Sequence, residues 1–207
     1  MQDRLLYVAA PCTNEALFRQ VRKRFEKFGF TAISPYSNAV NVMDPDHELR
    51  YVSEERLLLL LESRHSVSFQ WWGDASSDLY CRFLQEDEYS MMELHIENAS
   101  SEVLEQLLEA ASDLLDNTLF DRFYVVGDYW DLLREYKIDL KGLLSAWFGE
   151  KAEDRNLLHS DEQYVLGLDR WPMGTEEIRD DLMIWAKRCG EQTRKASREK
   201  WIKRIGT

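Results

Sequence analysis

Apolar positions recur along the chain in two rhythms, one of about 3.6 residues and one of two, and they divide it into helices and strands. Residues 4–10, RLLYVAA, form a compact apolar run that predicts a strand. Leu17, Val21, Phe25 and Phe28 then repeat at helical spacing, with Thr13 or Asn14 as cap and Gly29 as stop. A helix is therefore expected over about 15–28, with TAIS (31–34) as the returning strand. The stretch SPYSNAVNVMDPDHEL mixes turn formers with brief β-branched alternation and reads as a loop with one edge strand. A short helix, SEERLLLLLES, follows, and its Glu54 and Glu55 suit the positive end of a helix.

The clearest pattern is a set of three alternating segments: Val67, Phe69 and Trp71; Leu79, Cys81 and Phe83; Met92, Leu94 and Ile96. GDASSD and EDE separate them with turn composition, which predicts an antiparallel meander. A helix over 101–117 follows, with Leu104, Leu107, Leu108, Ala111 and Leu115 as its core face, and DRFYVVGDY supplies another strand. After Trp130, WDLLREY and DLKGLLSAWFGEK read as helical turns and EQYVLGL as a last strand or extended edge. A final helix is expected from about Thr175, because Ile178, Leu182, Trp185 and Cys189 make a stripe. Beyond Gly190 that stripe fades before Trp201, Ile202 and Ile205, so the end is either a separate helix or a loose tail. The whole reads as one α+β domain over 1–207: an antiparallel meander sheet with helices packed on it and a helical C-terminal region, 175–207, that ends in a basic tail.

Composition narrows the classes. With 207 residues, 44% hydrophobic and 31% charged, the chain can bury a substantial core. A net charge of −12 argues against direct nucleic-acid binding, which depends on Lys and Arg neutralising phosphates. Apolar runs such as 57–61 fall far short of the roughly 20 residues that a membrane span needs. Three widely spaced cysteines, Cys12, Cys81 and Cys189, fit neither a disulfide framework nor paired zinc ligands, so a cytoplasmic setting is expected.

The charge is unevenly placed. Between Asp74 and Asp131 there are fifteen carboxylates against Arg82 and Arg122, a net of −13, whereas the tail from Ala186 onward carries eight basic residues against two glutamates. On the 101–117 helix, Glu102, Glu105, Glu109, Asp113 and Asp116 fall close to one stripe opposite the leucines, and no Lys or Arg interrupts it. Each like-charged pair at this spacing costs a helix about 0.2–0.5 kcal/mol. Such a stripe is either a solvated face or a binding surface for a basic partner. Glu93 and Glu97 alternate with the apolar residues of their strand and are expected to extend the acidic patch. Trp71 and Trp72 are adjacent, so one faces outward; Trp72 is then an interface anchor or is covered by another element. The basic tail can fold back on the acidic face, meet an anionic patch on a partner, or hold a homodimer together.

Candidate chemistry is sparse. Asp44, Asp46, His47 and Glu48 gather oxygen and nitrogen atoms but lack calcium-loop spacing, so a polar turn is expected, and neither a metal nor a cofactor is assigned. Cys12, between a strand and a helix, invites comparison with a nucleophile at a helix N-terminus, but Arg19 falls one residue too far for phosphatase spacing, and a structural cysteine is expected. No catalytic residue is assigned. YVAAPCTNEALFRQVRKRFEKFGFTAISP resembles the opening strand, loop and helix of nucleoside deoxyribosyltransferase-like proteins, whose later Gly-Thr and Glu catalytic segment has no counterpart here. At the level of class, the size, the α+β pattern and the acidic block DLYCRFLQEDEYSMMELHIENASSEVLEQLLEAASDLLD resemble bacterial toxin-immunity proteins. That resemblance implies a protein that covers the basic active site of a toxin, and no enzyme activity. The expectation is thus a cytoplasmic acidic protein that neutralises a basic protein partner, such as a secreted toxin domain, through Trp72, Glu93, Glu97, Glu102, Glu105, Glu109, Asp113 and Asp116. The alternative is a small enzyme acting on a nucleotide or glycosidic bond, with Cys12 and the first loop near its site.

Overall fold

The computed structural model describes residues 4–44, 46, 48–74, 77–86, 89–120, 124–128, 158–160, 163–165, 182–186, 195, 198–199 and 201–203. In chain order the elements are β1 (Leu5–Ala10), α1 (Asn14–Phe25), β2 (Val40–Met43), β3 (Leu49–Val52), α2 (Glu54–Ser63), β4 (Ser66–Asp74), β5 (Ser77–Glu86), β6 (Tyr89–His95), α3 (Ser101–Asn117), β7 (Tyr124–Asp128), β8 (Leu158–Ser160), β9 (Gln163–Val165) and β10 (Leu182–Ala186). Eight strands form one sheet in the order β10-β7-β1-β6-β5-β4-β2-β3, and every neighbouring pair is antiparallel. Strands β8 and β9 pair separately. The α+β class and the β4-β5-β6 meander follow the expectation.

β1 lies between β6 and β7, and all six of its residues are buried. A strand covered on both faces has no solvent side to alternate with, which is why LLYVAA is a continuous apolar run. Thr13 caps α1 by accepting a hydrogen bond from the Ala16 N–H, and Gly29, at φ 86°, takes the left-handed conformation that ends the following 3₁₀ turn. Ser53 and Ser100 cap α2 and α3 in the same way as Thr13.

The three helices share one face of the sheet, with α1 beside both α2 and α3. Phe18 and Phe25 of α1 press against Phe69, Trp71 and Phe83, with ring centroids 5.2–6.0 Å apart. Leu104, Leu107, Leu108, Ala111 and Leu115 of α3 are buried in the same core, as its periodicity predicts.

Three expectations are corrected. TAIS forms no returning strand beside β1; Thr31 and Ile33 make isolated bridges to Trp72 and Val40 instead, because β6 and β7 occupy both edges of β1. The stretch from Val40 to Val52 holds two strands, β2 and the edge strand β3, rather than one. Leu182 and Trp185 lie on β10, paired with β7, and not on a helix. LMIWA is too short for periodicity to separate the two states, and the open edge of β7 supplies the backbone partners a strand needs. Ile178 and Cys189, with the helical turns expected after Trp130, lie outside the described residues. The C-terminal segment is helical at Lys195, Arg198, Glu199 and 201–203, which agrees with a separate final helix.

Candidate functional site

The sheet separates the strand carboxylates from the helix carboxylates. Alternation sends Met92 and Leu94 of β6, with Ile96 just after it, to the helical face and Glu93 and His95 to the opposite one. There Glu93 is only 3% exposed. Its carboxylate accepts two hydrogen bonds from Arg82 Nη2, at 3.0 and 3.2 Å, and lies 3.1 Å from His95 Nε2. His95 packs edge-on to Tyr80, and its Nδ1 is 3.9 Å from Glu97. Glu93 and Glu97 therefore do not extend the α3 patch. Glu93 is an internal counter-charge that orients Arg82 and His95, since a buried carboxylate persists only when paired.

On the helical side, Glu102, Glu105, Glu109 and Asp116 of α3 are exposed and Asp113 is partly covered. The stripe is not uniform. Asp113 lies 3.5 Å from Arg24 and 3.4 Å from Lys27, both supplied by the end of α1 and the turn after it, and its backbone and carboxylate both accept from Asn117. Glu109 lies 3.5 Å from Arg198 of the C-terminal segment. Among the described residues, no ion pair reaches Glu102 or Glu105. The part of the row without an ion pair among the described residues is therefore Glu102 and Glu105, and of these Glu102 sits in the first turn of α3, where the positive end of the helix favours a carboxylate.

The C-terminal segment is held mainly by Trp201, which is 2% exposed and belongs to the main core, with Ile202 packed at its margin. Gly127 faces the helical layer opposite Leu6, and a Cβ built there would fall 2.7 Å from Trp201 Cζ2. A glycine in the middle of β7 is the feature that lets the indole approach the strand. Of the described tail residues, Arg198 meets the acidic row, at Glu109. Sequence reasoning missed Gly127, Arg24 and Lys27; the basic last turn of α1 was the visible signal for Arg24, and Lys27 follows in the 3₁₀ turn after it.

Trp72 is not an exposed anchor. It faces away from the core that holds Trp71, but it is only 8% exposed, with Tyr36 edge-on at 5.7 Å. Backbone hydrogen bonds with Thr31 fix its strand on that side. Tyr36, 73% exposed, carries the aromatic surface at that corner.

Cys12 lacks the character of a nucleophile, because burial pushes its thiol up to about 12, against a smaller lowering by a hydrogen bond with the Leu17 backbone. Cys81, wholly buried, is pushed up for the same reason. Asp44 accepts from the backbone N–H groups of Glu48 and Asp46 at 2.9 and 3.0 Å and lies 2.5 Å from Arg50, the polar turn that the composition implies. No group of three or more metal-ligating side chains occurs among the described residues, and no helix among them is long and apolar enough to cross a membrane. No protein-family model, curated protein or solved structure matches this chain.

Proposed function

We propose that this is an acidic binding protein that neutralises a basic protein partner through the exposed face of α3, and that it acts as an immunity protein occluding a toxin. The observation that carries this reading is the exposed row Glu102, Glu105 and Glu109 on a helix that holds no basic residue. Solubility alone is served as well by mixed charges, which would add favourable i,i+4 pairs where this helix carries like-charged ones. The row costs helix stability, and electrostatic steering of a basic partner offsets that cost with faster association. Glu93 and Trp72, being buried, support the fold of this surface from elsewhere in the sheet and do not form part of it. A cytoplasmic setting fits Cys12 and Cys81, which are free thiols.

The test is capture of partners from the source cells, followed by association kinetics with Glu102→Lys, Glu105→Lys and the pair combined. A stoichiometric basic partner is expected, with its association rate lowered about tenfold at low salt by the double reversal. An association rate that does not respond to either reversal would overturn the assignment of the face.

A further inference from the structure

We propose that β3 is a pairing edge to which a second copy of this chain adds, antiparallel and about a two-fold axis at Arg50, so that the sheet continues from one copy into the next. This surface is separate from the α3 row and does not rest on the function proposed above. β3 ends the eight-stranded sheet and pairs only with β2. The Asp44 N–H donates to the Glu48 carbonyl at 3.0 Å, so alternation turns the backbone groups of Glu48, Arg50 and Val52 toward β2 and those of Leu49 and Tyr51 outward. Each outward residue offers one N–H and one C=O, and none of these meets a backbone partner among the described residues. The side chains mark the same edge. Five large apolar side chains are exposed among the described residues, and four of them, Tyr36, Leu49, Tyr51 and Leu59, belong to the stretch 36–59 that builds this end of the molecule. Leu49 is 43% and Tyr51 63% exposed, both on the face away from the helices, because Arg50 and Val52 take the other face and Val52 packs on the helical core. Apolar exposure gathered in one place marks an interaction surface, and the unpaired edge beside it selects a strand as what binds.

A charge in the middle of an edge strand ordinarily repels a second strand. Arg50 does not stand free here: it is drawn back onto Asp44 at 2.5 Å, with Glu48 at 3.9 Å. Centring the two-fold on Arg50 sets Leu49 opposite Tyr51 of the second copy, and Tyr51 opposite its Leu49, so the outward residues of both copies exchange backbone hydrogen bonds and pair their apolar side chains. The same register brings Glu48 of each copy diagonal to Arg50 of the other, so the two guanidinium groups share four carboxylates, those of Asp44 and Glu48 from both copies. The edge is thus complementary to itself in hydrogen bonding, apolar contact and charge, which is what an isologous interface requires. A strand of four residues is short, so the dimer is a weak one that forms as concentration rises.

The experiment is sedimentation of the full chain over a range of concentrations, which should show a monomer–dimer equilibrium. Tyr51→Lys removes an apolar pair on both sides of the axis and should raise the dimer dissociation constant about tenfold, with the melting temperature unchanged. Glu102→Lys with Glu105→Lys should leave the equilibrium as it is. Arg50→Cys should crosslink under oxidation, because residues opposite in a non-hydrogen-bonded pair stand about 4.5 Å apart at Cα, within disulfide reach, whereas Leu49→Cys should not. A chain that is monomeric at every concentration, a dimer insensitive to Tyr51→Lys or dissolved by the α3 reversal, or crosslinking through Leu49→Cys in place of Arg50→Cys would each overturn the proposal. Arg50→Cys joined in the source cells to a different protein, with no homodimer, would overturn the second copy as occupant and give the edge to a foreign strand.

Discussion

At the residue scale, the seating of the tail depends on Gly127. Gly127→Val should destabilise the protein by about 1–3 kcal/mol, the usual cost of forcing extra carbons into a packed site, as read from urea unfolding. Trp201→Ala empties the same site and should cost about 3–5 kcal/mol. Neither role was legible in the sequence: a lone glycine in YVVGD signals only that something approaches the strand, and Trp201 follows a break in its stripe. Asp44 offers a test by pH. Hydrogen bonding from the Glu48 backbone, helped by Arg50, holds its carboxyl below the usual carboxylate range. A depressed folded value means its stabilisation is complete above the unfolded value of about 3.9 and fades as pH falls below it. Asp44→Asn should therefore melt lower at neutral pH, and the gap should close in thermal melts carried toward pH 2. Of the expected site residues, Glu102, Glu105 and Glu109 occupy the surface that their spacing implies, whereas Glu93 was misread because alternation says which side of a strand a residue takes and not what covers that side.

At the scale of elements, α3 shows local stability set against surface charge. Ser100 accepts from the Val103 N–H at 3.2 Å, and Ser100→Ala should lower stability by about 1 kcal/mol, measured by chemical unfolding. Glu105→Lys should have the opposite sign: it replaces repulsion of Glu109 with attraction and should stabilise the protein by about 0.2–0.5 kcal/mol while slowing partner association. A variant that folds better and binds more slowly separates the two roles in one protein. Helix α1 was legible because cap, stripe and stop agree, α2 because a leucine run follows Glu54 and Glu55, and α3 because its apolar stripe recurs at helical spacing. β10 was not, since five apolar residues satisfy either period and only the neighbouring β7 decides between them.

At the scale of the molecule, charge is partitioned between surfaces. The helical layer carries the α3 row, with the basic end of α1 and the C-terminal segment as internal counter-ions, while the opposite sheet face holds the paired Arg82, Glu93 and His95. Raising ionic strength from 0.01 to 0.15 M shortens the screening length from about 30 to about 8 Å, so association with a basic partner should slow by about an order of magnitude, measured by stopped flow.

Local pattern was enough for the α+β class, the β4-β5-β6 meander, the three helices with the cap of α1, and the acidic row of α3, because each depends on spacing within one segment. The place of β1 between β6 and β7, the strand state of β10, the burial of Glu93 and Trp72, and the capture of Trp201 by Gly127 were decided only in the folded chain. They depend on which backbone edges remain unpaired and which surfaces meet across long sequence separations, and a segment carries no record of a neighbour that arrives a hundred residues later.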